Sequence, residues 1–367
     1  MSEYQYYEFQ AIDRPLTTEE QQAVSKLSSR VEPHPRRAVF VYHYSDLRAN
    51  AKELLAKYYD AMFYIANWGT TRLLFRFPRH LIDVKQMEPY CVEEYITCEI
   101  INDYVVLEMQ WNVEDGYYDW VDGEGYLDGL IGLRDDILRQ DYRVLYLAWL
   151  AILHTWKIDD EDVEPPVPPG LQQLTPALRK FMEAFHLGEA LINVAAAASS
   201  LPKNITAAQL RQRIAALSRA ECDDWLLRLA QGQEAQLSLT FHRHLCADEP
   251  ATAVTPGRRT VAELQTLAEA EAERLKRQQA AAAEAQRIRE LEAFAPQAEA
   301  SWTFVEQLIQ QGTSRSYDEA VQLLVKLHQL ATHRGTETTF ASRLGKIRAT
   351  YARRAALIGR FDKANLP

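Results

Sequence analysis

Residues 159–170 have the sequence DDEDVEPPVPPG and mark the clearest change of character along the chain. Four prolines fall within residues 165–169. Because proline fixes φ near about −65° and lacks an amide hydrogen, this run favours extended backbone and excludes helix. We therefore predict an acidic, Pro-rich linker at residues 161–170 that separates two parts of the protein.

Before this linker, strand patterns alternate with helical patterns. Strands are predicted at residues 4–12, 38–44, 73–77, 92–100 and 104–111, and helices at residues 19–28, 46–66 and 130–156. Asn102-Asp103 separates the last two β-rich runs, which indicates a hairpin. This order predicts an α+β domain over residues 1–160, with helices packed on a mixed sheet.

After the linker, strand patterns disappear and Ala, Leu, Gln, Glu and Arg dominate, as helices require. Thr175-Pro176 occupies the N-cap and first positions of the next helix. We predict an all-α, repeat-like half with a helical domain at 171–247, a linker at 248–257, and a long helix with a C-terminal helical bundle at 258–367. The long helix has alanine at most apolar positions, too weak a pattern for a self-sufficient coiled coil.

Composition bounds the class of protein. The chain has 367 residues, of which 47% are hydrophobic and 25% charged, as in ordinary globular proteins. Its first residues lack the pattern of a secretory signal, and the longest apolar run, 144–153, is about half the ~20 residues that cross a bilayer. The four cysteines are too sparse for a disulfide framework. We expect a soluble, cytoplasmic protein with no membrane partner.

Charge is distributed unevenly along the sequence. Residues 88–165 hold 20 Asp or Glu against 4 Lys or Arg, whereas residues 333–367 hold 8 Lys or Arg against 2 acids. The overall charge of −10 argues against a general nucleic-acid coat protein. The opposite poles indicate either docking of one part on the other or a separate partner for each.

The acidic pole contains a loop, residues 112–128, in which aromatic side chains stand among six acids. We select Tyr117, Tyr118 and Trp120 as candidate partner-binding residues, because Tyr and Trp are enriched at recognition surfaces. Three interpretations stay open: a solvated loop, a partner-binding loop, or a site for sugar chemistry or a hard cation.

The basic pole contains a predicted last helix with an apolar stripe and four basic residues beside it. The stripe is Phe340, Leu344, Ile347 and Tyr351, and the basic residues are Arg343, Lys346, Arg353 and Arg354. A solvated basic face, an acidic protein partner and a nucleic acid are the alternatives for this surface.

Motifs for catalysis or metal binding are sparse. His242, His244 and Cys246 lie within five residues, but structural zinc needs four ligands, usually in two close pairs. The sequence contains no P-loop, H-E-x-x-H, G-x-S-x-G, C-x-x-C or dinucleotide-binding G-x-G-x-x-G after a strand. We therefore assign no catalytic residue, metal or cofactor, and we regard an enzyme as the less favoured hypothesis.

Two segments resemble known families. The opening MSEYQYYEFQAIDRPLT, with Asn67-Trp68-Gly69-Thr70, resembles an uncharacterised family of bacterial proteins. The last ~50 residues are similar to the helical tail of bacterial SWIM zinc-finger proteins. The similarity rests on residues 316–321 (SYDEAV), Leu323, Leu324, Leu327, Phe340, Leu344, Tyr351, Arg353, Arg354, Leu357, Ile358 and Phe361-Asp362. The C-x-C…C-x-H ligands are absent, so this resemblance implies a helical-repeat scaffold without zinc.

These observations favour a non-catalytic interaction or adaptor subunit of a bacterial multi-protein system, with a protein partner. The first alternative is an enzyme that uses the acidic aromatic loop 112–128. The second is a nucleic-acid-associated factor that uses the basic C-terminal helix.

Overall fold

The computed structural model describes residues 3–28, 31, 33–112, 122–153, 155, 157–202, 205–232, 236–246 and 255–367. Tyr117, Tyr118 and Trp120 of the acidic aromatic loop lie outside the described residues, as does most of the predicted linker at 248–257. The chain divides into two compact units, Met1–Ala272 and Glu273–Pro367. In the part of the chain that the structure describes, no helix is long and apolar enough to span a membrane.

The first unit is built on a six-stranded sheet. Its strands are β1 (Gln5–Gln10), β2 (Arg37–Tyr42), β3 (Ala61–Ala66), β4 (Thr70–Pro78), β5 (Ile96–Ile101) and β6 (Tyr104–Asn112), in the order β2-β1-β3-β4-β6-β5. Every pairing among these strands is antiparallel, rather than the mixed sheet that we predicted. The predicted hairpin at Asn102-Asp103 is confirmed, and Asn102 takes the left-handed backbone that a tight turn requires, with φ of 55°.

Helices cover both faces of this sheet. They are α1 (Thr18–Ser25), α2 (Ala51–Tyr58), α3 (Val84–Met87), α4 (Tyr126–Leu130), α5 (Gly132–Leu138), α6 (Arg143–Ala151) and α7 (Pro176–Ala184). On one face Phe9 and Phe40 pack with α1 and α2, and on the other Phe63 and Phe75 pack with α4 to α7. The α+β class of this part is confirmed.

Two predicted helices are wrong, for different reasons. The pattern at 46–66 is a short helix, α2, followed by strand β3, whose six residues are all buried between β1 and β4. A strand covered on both faces has a continuous apolar run, which a buried helix shares. The helix predicted at 130–156 is interrupted between α5 and α6, where Gln140 has φ of 65°.

Residues 164–170 of the Pro-rich stretch are packed rather than exposed, whereas residues 161–163 are exposed. Val163 and Val167 form β-bridges with Thr260 and Thr255, and both Glu164 and Val167 are buried. Extended proline backbone needs few amide partners, so it can lie against a neighbouring segment as well as span solvent. The boundary between the compact units falls at Ala272 and Glu273, inside a later helix, and not at our predicted linker.

Further helices complete the first unit: α8 (Glu189–Ala198), α9 (Ala207–Ala216), α10 (Arg219–Gln231) and α11 (Leu237–Leu245), with the beginning of α12 (Val261–Phe294). Every residue of α9 and α10, all of which the structure describes, is at least partly exposed. On α10, Leu226, Leu227 and Leu229 are 59, 56 and 65% exposed. The predicted long helix is confirmed in α12.

The second unit is entirely helical in its described residues. It contains the rest of α12, then α13 (Ala298–Gln311), α14 (Ser314–Arg334), α15 (Glu337–Thr350) and α16 (Ala355–Lys363). Its core is separate from the sheet and is formed by residues such as Trp302, Leu324 and Phe361. The change from α+β to all-α that the sequence indicated is therefore confirmed.

Candidate functional site

The four basic residues that we selected lie in the second unit, but on different elements. Arg343 and Lys346 are on α15, whereas Arg353 and Arg354 follow its end, in the turn before α16. The single last helix that we predicted is therefore wrong. The apolar stripe is buried as expected at Phe340, Leu344 and Ile347.

A polar groove of about 710 Å³ runs between α13 and α15. Glu306 lines it from α13, and Thr339, Ser342, Arg343, Lys346 and Thr350 line it from α15, with Tyr351 at the end of that helix. The spacing of Thr339, Ser342, Lys346 and Thr350 is three or four residues, so one face of α15 carries them all. The adjacent face carries the buried apolar stripe. Packing of that stripe fixes the orientation of α15 and so directs the polar side chains into the groove.

Arg343 is held in the wall of this groove. Its Nη1 lies 2.8 Å from Glu299 Oε2, and its guanidinium lies 4.7 Å from the centroid of the Trp302 ring. The charge of Arg343 is therefore shared with a carboxylate and an aromatic face of α13. Its contacts join α15 to α13 within the unit.

Arg354 also makes contacts within the unit. Its Nη1 donates hydrogen bonds to the carbonyl of Ile309 and, at 3.1 Å, to Tyr317 Oη. Ile309 lies in the last turn of α13, where unpaired carbonyls give the helix end partial negative charge. Arg354 thus stabilises the end of α13 rather than extending a free basic surface.

Most other basic residues of 333–367 are paired as well. Arg334 binds Glu292, Arg348 binds Asp362, and Arg360 binds Asp318. Among the described residues, the side chains of Lys346, Arg353 and Lys363 have no hydrogen bond or ion pair. Of these three, Lys346 faces the groove.

The His242, His244 and Cys246 cluster lies at the end of α11 in the first unit. Cys246 Sγ is 3.8 Å from His242 Nδ1, and the His244 ring packs 5.5 Å from the Trp225 ring. Across the described ranges, no group of three or more His, Cys, Asp or Glu side chains is arranged to hold a metal ion.

A separate cavity of about 490 Å³ lies in the first unit, beside the end of β6. Trp111 and His186 stack in it with ring centroids 4.8 Å apart, and burial lowers the pKa of His186. Gln265 and Glu269 of α12 are its other polar lining residues. Asp128, one of the acids of the loop predicted at residues 112–128, lies in α4. Its Oδ1 accepts a hydrogen bond of 2.6 Å from Gln10 Nε2.

The groove contains residues that we did not select from the sequence, namely Glu306 and the hydroxyl residues of α15. The helical recurrence of Thr339, Ser342, Lys346 and Thr350 is visible in the sequence and could have indicated a polar stripe. No family model, curated protein or solved structure matches this chain.

Proposed function

We propose that this chain is a non-catalytic interaction or adaptor subunit of a bacterial multi-protein system, and that the groove between α13 and α15 binds an acidic segment of a protein partner. The observation that carries this proposal is the Lys346 ammonium, which has no acidic partner among the described residues and faces a groove lined by hydroxyl groups.

The chemistry of the groove fits a carboxylate-bearing peptide. Lys346 can donate charge-assisted hydrogen bonds, which are stronger than neutral ones, and Thr339 and Ser342 add hydroxyl donors. Ile347 and the Tyr351 ring supply apolar contact beside them. A volume of about 710 Å³ suits a few side chains of a peptide rather than a folded domain.

Charge pairing makes a nucleic acid the weaker alternative for the basic tail. Binding a phosphate backbone depends on several lysines and arginines that are free to neutralise phosphates. Arg334, Arg343, Arg348 and Arg360 are already paired with carboxylates of this unit. Lys346, Arg353 and Lys363 remain unpaired among the described residues, and three cations neutralise too few phosphates for strong binding to a nucleic acid.

The first unit offers independent support for an interaction role. Leu226, Leu227 and Leu229 are exposed along α10. Exposed apolar side chains grouped on one helix are typical of contact surfaces between proteins.

The test is peptide binding to the full chain, measured by fluorescence anisotropy. The probes are labelled decapeptides with varied spacing of Asp and Glu, and a labelled single-stranded DNA 20-mer. We expect Lys346→Glu to weaken peptide binding at least tenfold, because it places a like charge in the groove. Lys363→Glu is the matched control, since it makes the same charge change in the same unit away from the groove.

Three results would contradict the proposal. They are failure of every acidic peptide to bind, equal losses in the Lys346 and Lys363 variants, and sub-micromolar DNA binding near physiological salt that Lys346→Glu abolishes. The last result would favour the nucleic-acid alternative.

A further inference from the structure

Two cysteines of the first unit lie side by side. Cys91 Sγ and Cys98 Sγ are 3.7 Å apart, although neither belongs to a C-x-x-C motif. Cys91 directly follows the short turn Glu88–Tyr90, and Cys98 is on edge strand β5. Both cysteine residues are partly exposed.

The backbone between these cysteines holds them together. Val92 N donates to Ile96 O at 3.0 Å, and Ile96 N donates to Val92 O at 2.8 Å, so the chain reverses direction within five residues. Glu94 takes a left-handed backbone in this turn, with φ of 69°. The proximity of the sulfur atoms is thus a property of a closed turn and not of two mobile loops.

The residues that flank the pair are anchored in the core. Met87 and Tyr90 are buried before Cys91, and Ile96 is buried before Cys98. Tyr90 Oη donates a hydrogen bond of 2.8 Å to the carbonyl of Pro166, and Cys91 Sγ donates to the carbonyl of Met87. Both cysteines are therefore attached to fixed backbone.

We propose that Cys91 and Cys98 are a redox modification site, at which a peroxide converts the two thiols reversibly to a disulfide. A disulfide bond is about 2.05 Å long, so the sulfur atoms must approach by roughly 1.7 Å. Rotation of partly exposed side chains about their Cα–Cβ bonds supplies that movement without unfolding the turn.

The reaction balances with hydrogen peroxide as the oxidant. The Cys91 thiolate attacks one peroxide oxygen, the O–O bond breaks, and Cys91 becomes a sulfenic acid while hydroxide leaves and takes up a proton as water. Cys98 sulfur then attacks the sulfenic sulfur, its proton leaves with the hydroxyl group as a second water, and the S–S bond forms. The two sulfurs lose two electrons in total, and the peroxide gains them.

The same contact assigns the roles of the two thiols. The hydrogen bond with Cys98 lowers the pKa of Cys91, while the corresponding hydrogen bond raises the pKa of Cys98. Since the thiolate is the nucleophile, these directions support Cys91 as the thiol that attacks the peroxide, and Cys98, whose sulfur lies 3.7 Å away, as the thiol that resolves the sulfenic acid.

The experiment uses the reduced full chain, treated with hydrogen peroxide and then blocked with N-ethylmaleimide. Cleavage after glutamate separates the cysteines, because Glu93 and Glu94 lie between them. We expect a pair of peptides joined by a bond that dithiothreitol breaks, with a mass about 2 Da below their reduced sum. Cys222 and Cys246 should remain alkylated.

Variants test the roles. Cys98→Ser should leave Cys91 as a sulfenic acid that dimedone traps, and Cys222→Ser, the matched control, should form the linked peptides as the wild type does. Circular dichroism verifies that both variants are folded. Separate, fully alkylated peptides after peroxide treatment of the wild type would overturn the proposal, as would direct conversion of Cys91 to a sulfinic or sulfonic acid. A Cys91 link to Cys222 or Cys246 would overturn it as well.

Discussion

The two units place their charged groups differently. The first unit buries ion pairs beneath its helices, whereas the second keeps its ion pairs at the surface around an apolar core. A buried charge has lost its water and depends on its partner, while an exposed charge can return to solvent at little cost. The first unit thus adds buried polar contacts between distant residues to its apolar cores, whereas the second relies on the packing of helix faces.

Arg134 is the centre of the buried charge in the first unit. It is fully buried on α5 and binds Asp13 through two hydrogen bonds, of 2.9 and 2.8 Å. Nearby, Asp60 accepts a hydrogen bond from Arg76 Nη2 at 2.6 Å and from the amide of Ile12 at 2.7 Å. This network joins β1, α5 and the strand β4 that carries Arg76.

The largest effect is expected from Arg134→Met. Its removal leaves the partly buried carboxylate of Asp13 without its guanidinium and takes a positive charge from beside the buried Asp60. Breaking a buried ion pair costs about 3–5 kcal/mol. Urea unfolding followed by tyrosine and tryptophan fluorescence measures the free energy. A loss below about 1 kcal/mol would show that the first unit does not depend on this pair.

Leu324→Ala tests the contribution of apolar packing to the stability of the second unit. Leu324 is fully buried in the core of the second unit, so truncation should cost about 2–5 kcal/mol through lost transfer energy and a cavity. Leu267→Ala, at a half-exposed position of α12 in the first unit, is the control and should cost well under 1 kcal/mol. Equal losses from the two variants would contradict an apolar basis for the second unit.

Glu164→Gln is expected to cost about 2 kcal/mol, because it weakens charge-assisted hydrogen bonds from Arg259. Burial raises the pKa of Glu164, but the hydrogen bonds from Arg259 and Tyr146 outweigh it and hold the pKa below its usual value. A depressed carboxyl pKa stabilises the fold above the unfolded pKa. The stability difference between wild type and variant should therefore shrink as pH falls below about 4.3.

Glu164→Gln also tests whether this carboxylate holds the Pro-rich stretch in place. In the wild type, protease should not cut this packed stretch first, whereas Glu164→Gln should make it more accessible. Unchanged digestion, together with a stability difference that does not vary between pH 7 and pH 3, would contradict the role of this carboxylate.

The smallest effect is expected at the surface of the second unit. Arg360 Nε lies 2.6 Å from Asp318 Oδ1, and the Asp318 side chain is mostly exposed. A double-mutant cycle with Arg360→Ala and Asp318→Ala should give a coupling free energy of about 0.5 kcal/mol that falls with salt. A coupling above about 2 kcal/mol would remove the contrast between the units.

Local features of the fold could be predicted from the sequence because neighbouring residues determine them. Thr175 caps α7, and Asn102 turns the β5–β6 hairpin, as expected. Strand β3 could not be distinguished from a helix, because burial on both faces removes the alternation that identifies a strand.

Features that depend on distant contacts could not be predicted. The acidic residues of 159–170 suggested a solvated linker, since nothing near Glu164 in the sequence indicates that Arg259 neutralises it. The four basic residues between 343 and 354 could be selected from the sequence, but the sequence does not show that Arg343 pairs with Glu299 or that Arg354 binds the end of α13. Cys91 and Cys98 are close in the sequence, and only the turn at Val92 and Ile96 brings their sulfurs together.

The pairing of Glu164 with Arg259 also bears on how the chain matures on the ribosome. Arg259 is synthesised 95 residues after its partner. At about 5–20 residues per second, the carboxylate therefore waits roughly 5–20 s before its guanidinium emerges. During that interval the nascent chain contains the sheet and α6 but not the side chain that neutralises Glu164, so stretch 161–170 cannot yet dock at full strength. Completion of the first unit is thus delayed until α12 begins to leave the exit tunnel, and a nascent-chain chaperone has that interval in which to bind.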